Sequence, residues 1–284
     1  MAIKTIGVVG SGQMGSGIAQ VAATCGFRVL LQDLKQEIVD NSIAGIKGRL
    51  ERAASKGKLD PAEIKNIMGR IEGTTDLTKF KHVDYAIEAA TENHAIKREI
   101  FKKLDEVCSA ETILATNTSS ISITKIAGWT NRGDRIVGMH FMNPVPVMPL
   151  VEGICGLATS EQTLAAMKEV AEKMGKVVVM AKDSPGFVVN RILMPMINEA
   201  IEALREGLAS AEDIDTAMKL GTNQPMGPLT LADFVGLDTC LAIMEVLHKE
   251  LGDDKYRPSP LLRQYVDAGW LGKKSGRGFF VYDK

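Results

Sequence analysis

Thr5-Ile6-Gly7-Val8-Val9-Gly10-Ser11-Gly12-Gln13-Met14-Gly15, continued by Ile18, Ala19, Ala22 and Ala23 at helical spacing, reads as strand, glycine turn and helix. A second strand pattern, Arg28 to Gln32, ends on Asp33, 18 residues beyond Gly15. The spacing is that of a dinucleotide fingerprint. The first glycine permits a tight turn, the second lets a pyrophosphate approach the backbone, and the third lets helix and strand pack. The helix N-terminus supplies N–H donors to the phosphates, so Gly10, Ser11, Gly12, Gln13, Met14 and Gly15 are cofactor-binding candidates. Asp33 would accept hydrogen bonds from the adenosine ribose and repel a 2′-phosphate, which favours NAD(H) over NADP(H). Lys35, two residues on, works against that repulsion.

Further strands are expected at Asp84 to Ala89, Thr112 to Ala115, Ile136 to Met139, Met148 to Val151 and Lys176 to Met180, with helices near Ala95 to Cys108 and Gln162 to Met174. Strands alternating with helices predict an α/β fold with a Rossmann-type doubly wound sheet. Ligands of such sheets gather at the carboxyl ends of the strands, where Asp33, Glu88, Asn117 and His140 fall. Between Ile38 and Ile71 lies a basic helical arm, long for a link between neighbouring strands. On it Arg49, Arg52 and Lys56 recur at helical spacing, either as a solvated face or as a stripe for phosphates.

From Asp183-Ser184-Pro185 onward the pattern is helical, with Ser184 and Pro185 as start signals, Ser210 to Asp213 as a capping box, and helices expected at Ile214 to Leu220, Leu229 to Leu251 and Leu261 to Val266. The expected organisation is a nucleotide-binding domain over residues 1–183 and a smaller all-α domain over 184–284. Ile192 to Ile201 is apolar around much of its helix, which suits a buried helix or a homodimer seam in the C-terminal domain.

A net charge of −1 gives no basic excess for a nucleic-acid backbone. Cys25, Cys108, Cys155 and Cys240 are widely spaced, with no Cys-x-x-Cys pair, and no apolar run reaches membrane-spanning length. The expectation is a cytoplasmic protein without nucleic-acid, membrane or metal partners.

The chemistry is expected in Met139-His140-Phe141-Met142-Asn143-Pro144-Val145-Pro146 and in Pro149-Leu150-Val151-Glu152-Gly153. One apolar run delivers His140 to a chain reversal and a second carries Glu152 back. An imidazole takes a hydroxyl proton near neutral pH, and a carboxylate behind it fixes the tautomer and stabilises the imidazolium. The same residues would also suit a satisfied core histidine beside a surface glutamate. His82, His94 and His248 lack a comparable carboxylate and strand-end setting and are read as structural.

The glycine turn, Asn117-Thr118-Ser119-Ser120, His140 to Pro146, Val151-Glu152, Ser184 to Arg191, Asn223 to Pro228 and Gly272 to Phe280 occur in the order found in one family. The chain resembles the short-chain L-3-hydroxyacyl-CoA dehydrogenases over essentially its whole length, in particular the bacterial 3-hydroxybutyryl-CoA group. The resemblance implies NAD-linked interconversion of 3-hydroxybutyryl-CoA and acetoacetyl-CoA, in butyrate or fatty-acid metabolism. It implies that His140 is the general base, that Glu152 orients it, and that Ser119 and Asn190 bond the reacting oxygen or thioester region from either domain. It further implies that Glu92, Lys97, Ser119, Asn143 and Lys274 contact NAD, with Asn117 beside them, and that Lys56 and Arg49 contact coenzyme A. Two other readings stay open: a hydroxyacid dehydrogenase of the same plan, which would use a lysine base, and an NAD-sensing regulator, which would need no dyad.

Overall fold

The computed structural model describes residues 3–282; the outermost residues of the two expected domains, 1–2 and 283–284, lie outside it. Contacts divide the chain into two compact units, Met1–Ser184 and Pro185–Lys284. Among the described residues the first unit carries one eight-stranded sheet, built from β1 (Thr5–Val9), β2 (Arg28–Gln32), β3 (Ile71–Thr74), β4 (Tyr85–Glu88), β5 (Ile113–Thr116), β6 (Ile136–Phe141), β7 (Leu150–Cys155) and β8 (Val177–Lys182). The order is β3-β2-β1-β4-β5-β6-β7-β8. Every pairing is parallel except β6 with β7.

The central strands are apolar on both faces because helices cover both, and Ile6, Val8, Ile87 and Leu114 have no exposed surface. Helix α1 (Gln13–Thr24) follows the glycine turn, and Phe27, Ile46, Leu50 and Met174 help close the core. The basic arm is two helices, α2 (Gln36–Ser55) and α3 (Pro61–Met68), the second started by Pro61 after Asp60, whose side chain accepts from Ala62 N–H. Val39, Ile46, Leu50 and Ile67 bury its apolar stripe. Ile71, read as the end of the arm, instead opens β3, a four-residue edge strand whose Ile-Glu-Gly-Thr sequence has little strand signal. Helices α4 (His94–Val107), α5 (Ile123–Ala127) and α6 (Glu161–Lys173) complete the unit. The short α5 was not expected; its N-terminus is held by Asp183, which accepts from Ser122 Oγ, Ile123 N–H and Thr124 N–H at 2.8–2.9 Å.

The second unit holds α7 (Val189–Arg205), α8 (Ala211–Gly221), α9 (Pro228–Val235), α10 (Leu237–Leu251) and α11 (Pro260–Asp267) around Met194, Ile197, Ile201, Leu229, Leu237 and Leu247. Two sequence expectations are corrected. The first helix does not start at Pro185, because Gly186 (φ 75°) and Phe187 (φ 47°) turn through the left-handed region and delay it to Val189. The helix expected over Leu229 to Leu251 is two helices, broken by Gly236 at φ 100°.

Two glycines of the turn are dictated by packing. Gly10 sits at φ 92°, and a Cβ there would lie 2.8 Å from the Ala89 carbonyl; a Cβ on Gly15 would lie 1.8 Å from the Gly10 oxygen. Gly15→Ala is expected to push α1 off the turn and to cost about 1–3 kcal/mol, the range for overpacking. An unchanged denaturation midpoint would remove that role from Gly15.

Candidate active site

Gly12 differs from its two neighbours in the motif: a Cβ built on it meets nothing within 4 Å. It is the N-cap of α1, and no side chain caps that helix end. Backbone donors and positive dipole therefore face open space, which suits a diphosphate. Asp33, one residue past β2, accepts from Ser11 N–H at 2.7 Å and Ser11 Oγ at 2.8 Å through Oδ2, and from Leu34 N–H at 2.7 Å through Oδ1. Its carboxylate thus staples the glycine turn. These residues fit a dinucleotide.

Glu88, the last residue of β4, has no exposed surface. Its carboxylate receives the Lys97 ammonium at 2.6 and 2.7 Å, Thr116 Oγ1 at 2.7 Å and Ala90 N–H at 2.7 Å. Lys97 is 1% exposed and also reaches Glu92 at 3.4 Å. The ammonium of Lys97 is committed to these two carboxylates. Glu92 Oε1 accepts from Thr118 Oγ1 at 2.5 Å, Ser119 N–H at 3.0 Å, Ser120 N–H at 3.1 Å and Ser120 Oγ at 2.9 Å. The loop that presents Ser119 is thereby tied down without using the Ser119 hydroxyl. Burial acts to raise the Glu92 carboxyl, but the Lys97 charge and these hydrogen bonds outweigh it and hold it below the ordinary carboxylate range.

Asn117, just past β5, accepts from Phe141 N–H at 2.8 Å and so fixes the end of β6. His140 and Glu152 lie inside β6 and β7, directly opposite in the antiparallel register, rather than at the reversal. His140 Nδ1 is 2.8 Å from Glu152 Oε2. Glu152 has no exposed surface and His140 is 8% exposed, so the surface-glutamate alternative does not hold. His248 has a carboxylate, Asp254 at 2.9 Å, but both side chains of that pair are open to solvent and His248 stands on a helix, not at a strand end.

The turn between β6 and β7 is anchored twice. Asn143 Oδ1 accepts from Gln13 Nε2 at 3.0 Å, which joins two cofactor candidates. Lys176, 8% exposed, donates to the carbonyls of Val145 at 2.6 Å and Met148 at 2.8 Å, and burial pulls its ammonium below the ordinary lysine value. Sequence reading missed Lys176, which carries no motif, and missed Thr118 and Ser120, although their hydroxyls flank Ser119 in a polar quartet.

Other candidates are dispersed. Arg49 does not extend into a stripe with Arg52 and Lys56: its guanidinium turns back onto α1, with Nε on Gln20 Oε1 at 2.7 Å and a terminal nitrogen on Ser16 Oγ at 3.2 Å. Arg52 and Lys56 are exposed at the C-terminal end of α2. Asn190, in the second unit, is 8% exposed on α7, and Lys274 pairs with Asp238 at 2.5 and 2.7 Å. The glycine-spaced loop around Lys274 is not a loose tail, because Asp233 accepts from Phe279 N–H, Phe280 N–H and Tyr282 Oη at 3.0 Å. Among the described residues no group of His, Cys, Asp and Glu could hold a metal ion.

A family model described as 3-hydroxyacyl-CoA dehydrogenase, NAD binding domain, matches residues 5–184, and one described as its C-terminal domain matches residues 186–282. The chain is 59% identical to a probable 3-hydroxybutyryl-CoA dehydrogenase of Bacillus subtilis (strain 168), over 100% of this chain and 99% of that one. A 3-hydroxybutyryl-CoA dehydrogenase of Bradyrhizobium diazoefficiens is 52% identical, over 99% and 96%. The crystal structure of (S)-3-hydroxybutyryl-CoA dehydrogenase from Ralstonia eutropha matches all of both chains with a TM-score of 0.97 and 52% identity.

Two predictions come from the anchoring bonds. Lys176→Met should weaken NADH binding about tenfold, roughly 1.4 kcal/mol, by releasing the turn that carries Asn143, and Lys176→Arg should recover part of it; equal affinities in a fluorescence titration would separate Lys176 from the site. Because the folded pKa of Glu92 is depressed, its stabilising effect is present above its unfolded value near 4.5 and is lost as pH falls through the lower folded value. Urea midpoints from pH 6 to 3 should therefore fall less steeply in Glu92→Gln than in the parent chain, and parallel curves would contradict this.

Proposed function

The chain belongs to the 3-hydroxyacyl-CoA dehydrogenase family and is an NAD-binding oxidoreductase, and on that premise we propose that it interconverts (S)-3-hydroxybutyryl-CoA and acetoacetyl-CoA with NAD(H) through a His140–Glu152 acid/base pair. The observation that carries this reading is the 2.8 Å contact between His140 Nδ1 and a fully buried Glu152 carboxylate. Donation of the Nδ1 proton to Glu152 puts the basic lone pair on Nε2. In the oxidative direction Nε2 accepts the 3-hydroxyl proton, and Glu152 stabilises the resulting imidazolium; in reduction the same nitrogen returns the proton to the carbonyl oxygen. Bound NAD supplies the hydride acceptor, and NADH the donor.

In this reading Gly10 to Gly15 hold the pyrophosphate and Asp33 the adenosine ribose, which makes NAD(H) the preferred cofactor over NADP(H). Glu92, Ser119 and Asn143 line the cofactor, with Lys97 and Asn117 fixing what lines it. Ser119 is also a substrate contact; Asn190 and Lys274 keep their family-implied roles toward substrate and NAD. Arg52 and Lys56 on the arm meet the phosphates of coenzyme A, and Arg49 braces the arm against α1. Residues 1–183 act as the nucleotide-binding domain and 184–284 as the substrate and homodimer domain, where Ile192, Leu208, Leu220 and Phe234 are exposed apolar residues. Operation in the cytoplasm fits a chain in which, among the described residues, no helix is long and apolar enough to cross a membrane.

The deciding experiment follows NADH oxidation with acetoacetyl-CoA beside NADPH and free acetoacetate. Fast turnover that requires both NADH and the thioester is expected. His140→Gln should lower kcat about 10²–10⁴-fold, the usual contribution of a positioned acid/base group, with NADH affinity unchanged. NADH binding without turnover on any acyl-CoA would favour a sensor.

A further inference from the structure

A cavity of about 850 Å³ opens at the edge of the first unit, against the amino ends of β1, β2 and β3 and the short 3-10 helix Leu77–His82. It is not the dinucleotide site. Arg28 is the first residue of β2 and Asp33 follows its last; five residues at about 3.3 Å put them some 16 Å apart on opposite ends of one strand. The volume is that of a small-ligand pocket.

Its walls are cationic in a protein whose net charge is −1. Arg28 from β2, Arg70 from the turn before β3, and Lys79, Lys81 and His82 from the 3-10 helix all line it. Two lining carboxylates oppose them, and both are occupied: Glu72 pairs with Lys79 at 2.8 Å, and Asp76 caps the 3-10 helix by accepting from Thr78 N–H at 2.9 Å and Thr78 Oγ1 at 2.7 Å. Arg70 gives one nitrogen to the Ala23 carbonyl at 3.0 Å. Arg28 and Lys81 enter no ion pair or side-chain hydrogen bond among the described residues, although the Lys81 charge acts on Asp76 and adds to what holds its carboxyl below the ordinary range. Positive charge is therefore left over on three different elements facing one concavity. Of the apolar lining residues only Ile71 is part-exposed; Val29, Leu30 and Val83 are buried.

We propose that this cavity is a second ligand site, distinct from the dinucleotide fingerprint, which binds a polyphosphate group through Arg28, Arg70 and Lys81. Guanidinium forks match phosphate oxygens, and the Lys81 ammonium adds a point charge. A nucleic acid does not suit a chain whose net charge is −1. The proposal does not depend on the dehydrogenase mechanism.

The test is calorimetric titration of the full chain with ATP, at low salt and without divalent cations, after saturation with NADH so that the fingerprint is filled. One ATP is expected to bind beside NADH. Arg28→Glu with Lys81→Glu should weaken it at least tenfold while NADH affinity stays constant, and the milder Arg28→Gln with Lys81→Gln should show a smaller loss in the same direction. Adenosine should bind far more weakly than ATP. Absence of ATP binding once NADH is bound would overturn the proposal, as would ATP binding that survives both double variants but is lost in Lys56→Glu, which would place the nucleotide on the arm. Inorganic triphosphate is expected to bind about as tightly as ATP, and triphosphate that fails to bind where ATP does would overturn recognition through the phosphates.

Discussion

Burial of charge is the constraint on which the site depends. Glu88 and Glu152 both stand on strands of the sheet with no exposed surface, and a carboxylate removed from water is tolerable only with partners that replace its hydration. Each solves this differently. Glu88 takes a lysine from the following helix, a threonine hydroxyl from β5 and a backbone N–H, and becomes a fixed structural charge. Glu152 faces an imidazole across an antiparallel pair, where the partner's own charge changes with its proton. The first arrangement holds a loop; the second suits proton transfer.

The antiparallel pairing is itself the exception in an otherwise parallel sheet. In a parallel pair the crossover would occupy the end of the strand, and the two residues would meet only through a long connection. Reversing the chain after β6 brings His140 and Glu152 opposite within 12 residues. The reversal must then be held, since its turn carries Asn143 beside the glycine helix. Lys176 does this from the start of the next parallel strand by bonding two carbonyls, and Gln13 does it from α1. The proposed base, cofactor cradle and turn are thus one connected hydrogen-bonded assembly within the first unit.

The two ends of the same sheet differ in character. At the carboxyl ends, Asp33, Glu88 and Asn117 gather polar groups that are nearly all engaged with backbone or neighbouring loops. At the amino ends, cations from β2, the β3 approach and the 3-10 helix surround a cavity with their local carboxylates already occupied. The proposed dinucleotide site and the proposed second site would then be different uses of the same backbone layer.

Local physics made much of this readable before any coordinates. The glycine turn, Asp33 at a strand end and the alternating strands and helices follow from residue spacing and strand polarity, which short-range sterics enforce, whereas the pairing of His140 with Glu152 was one of two open readings until the antiparallel register and the burial of Glu152 decided it. Other features needed long-range contacts. β3 has a weak strand sequence and exists because the edge of β2 has backbone groups to satisfy. Gly186, Phe187 and Gly236 break helices that periodicity alone would continue. Arg49 lies at the right spacing for a stripe, yet Gln20 and Ser16 on a neighbouring helix capture it. The roles of Lys97 and Lys176 rest on partners 9 and 28 to 31 residues away. The sequence by itself determined the fold class, because that depends on periodicity and local backbone chemistry, and it named the candidate site residues through the resemblance of its motifs to one family. Which side chains became anchors and which stayed available to a ligand was decided only by the tertiary structure, because a hydrogen bond between distant segments exists only once packing has brought them together.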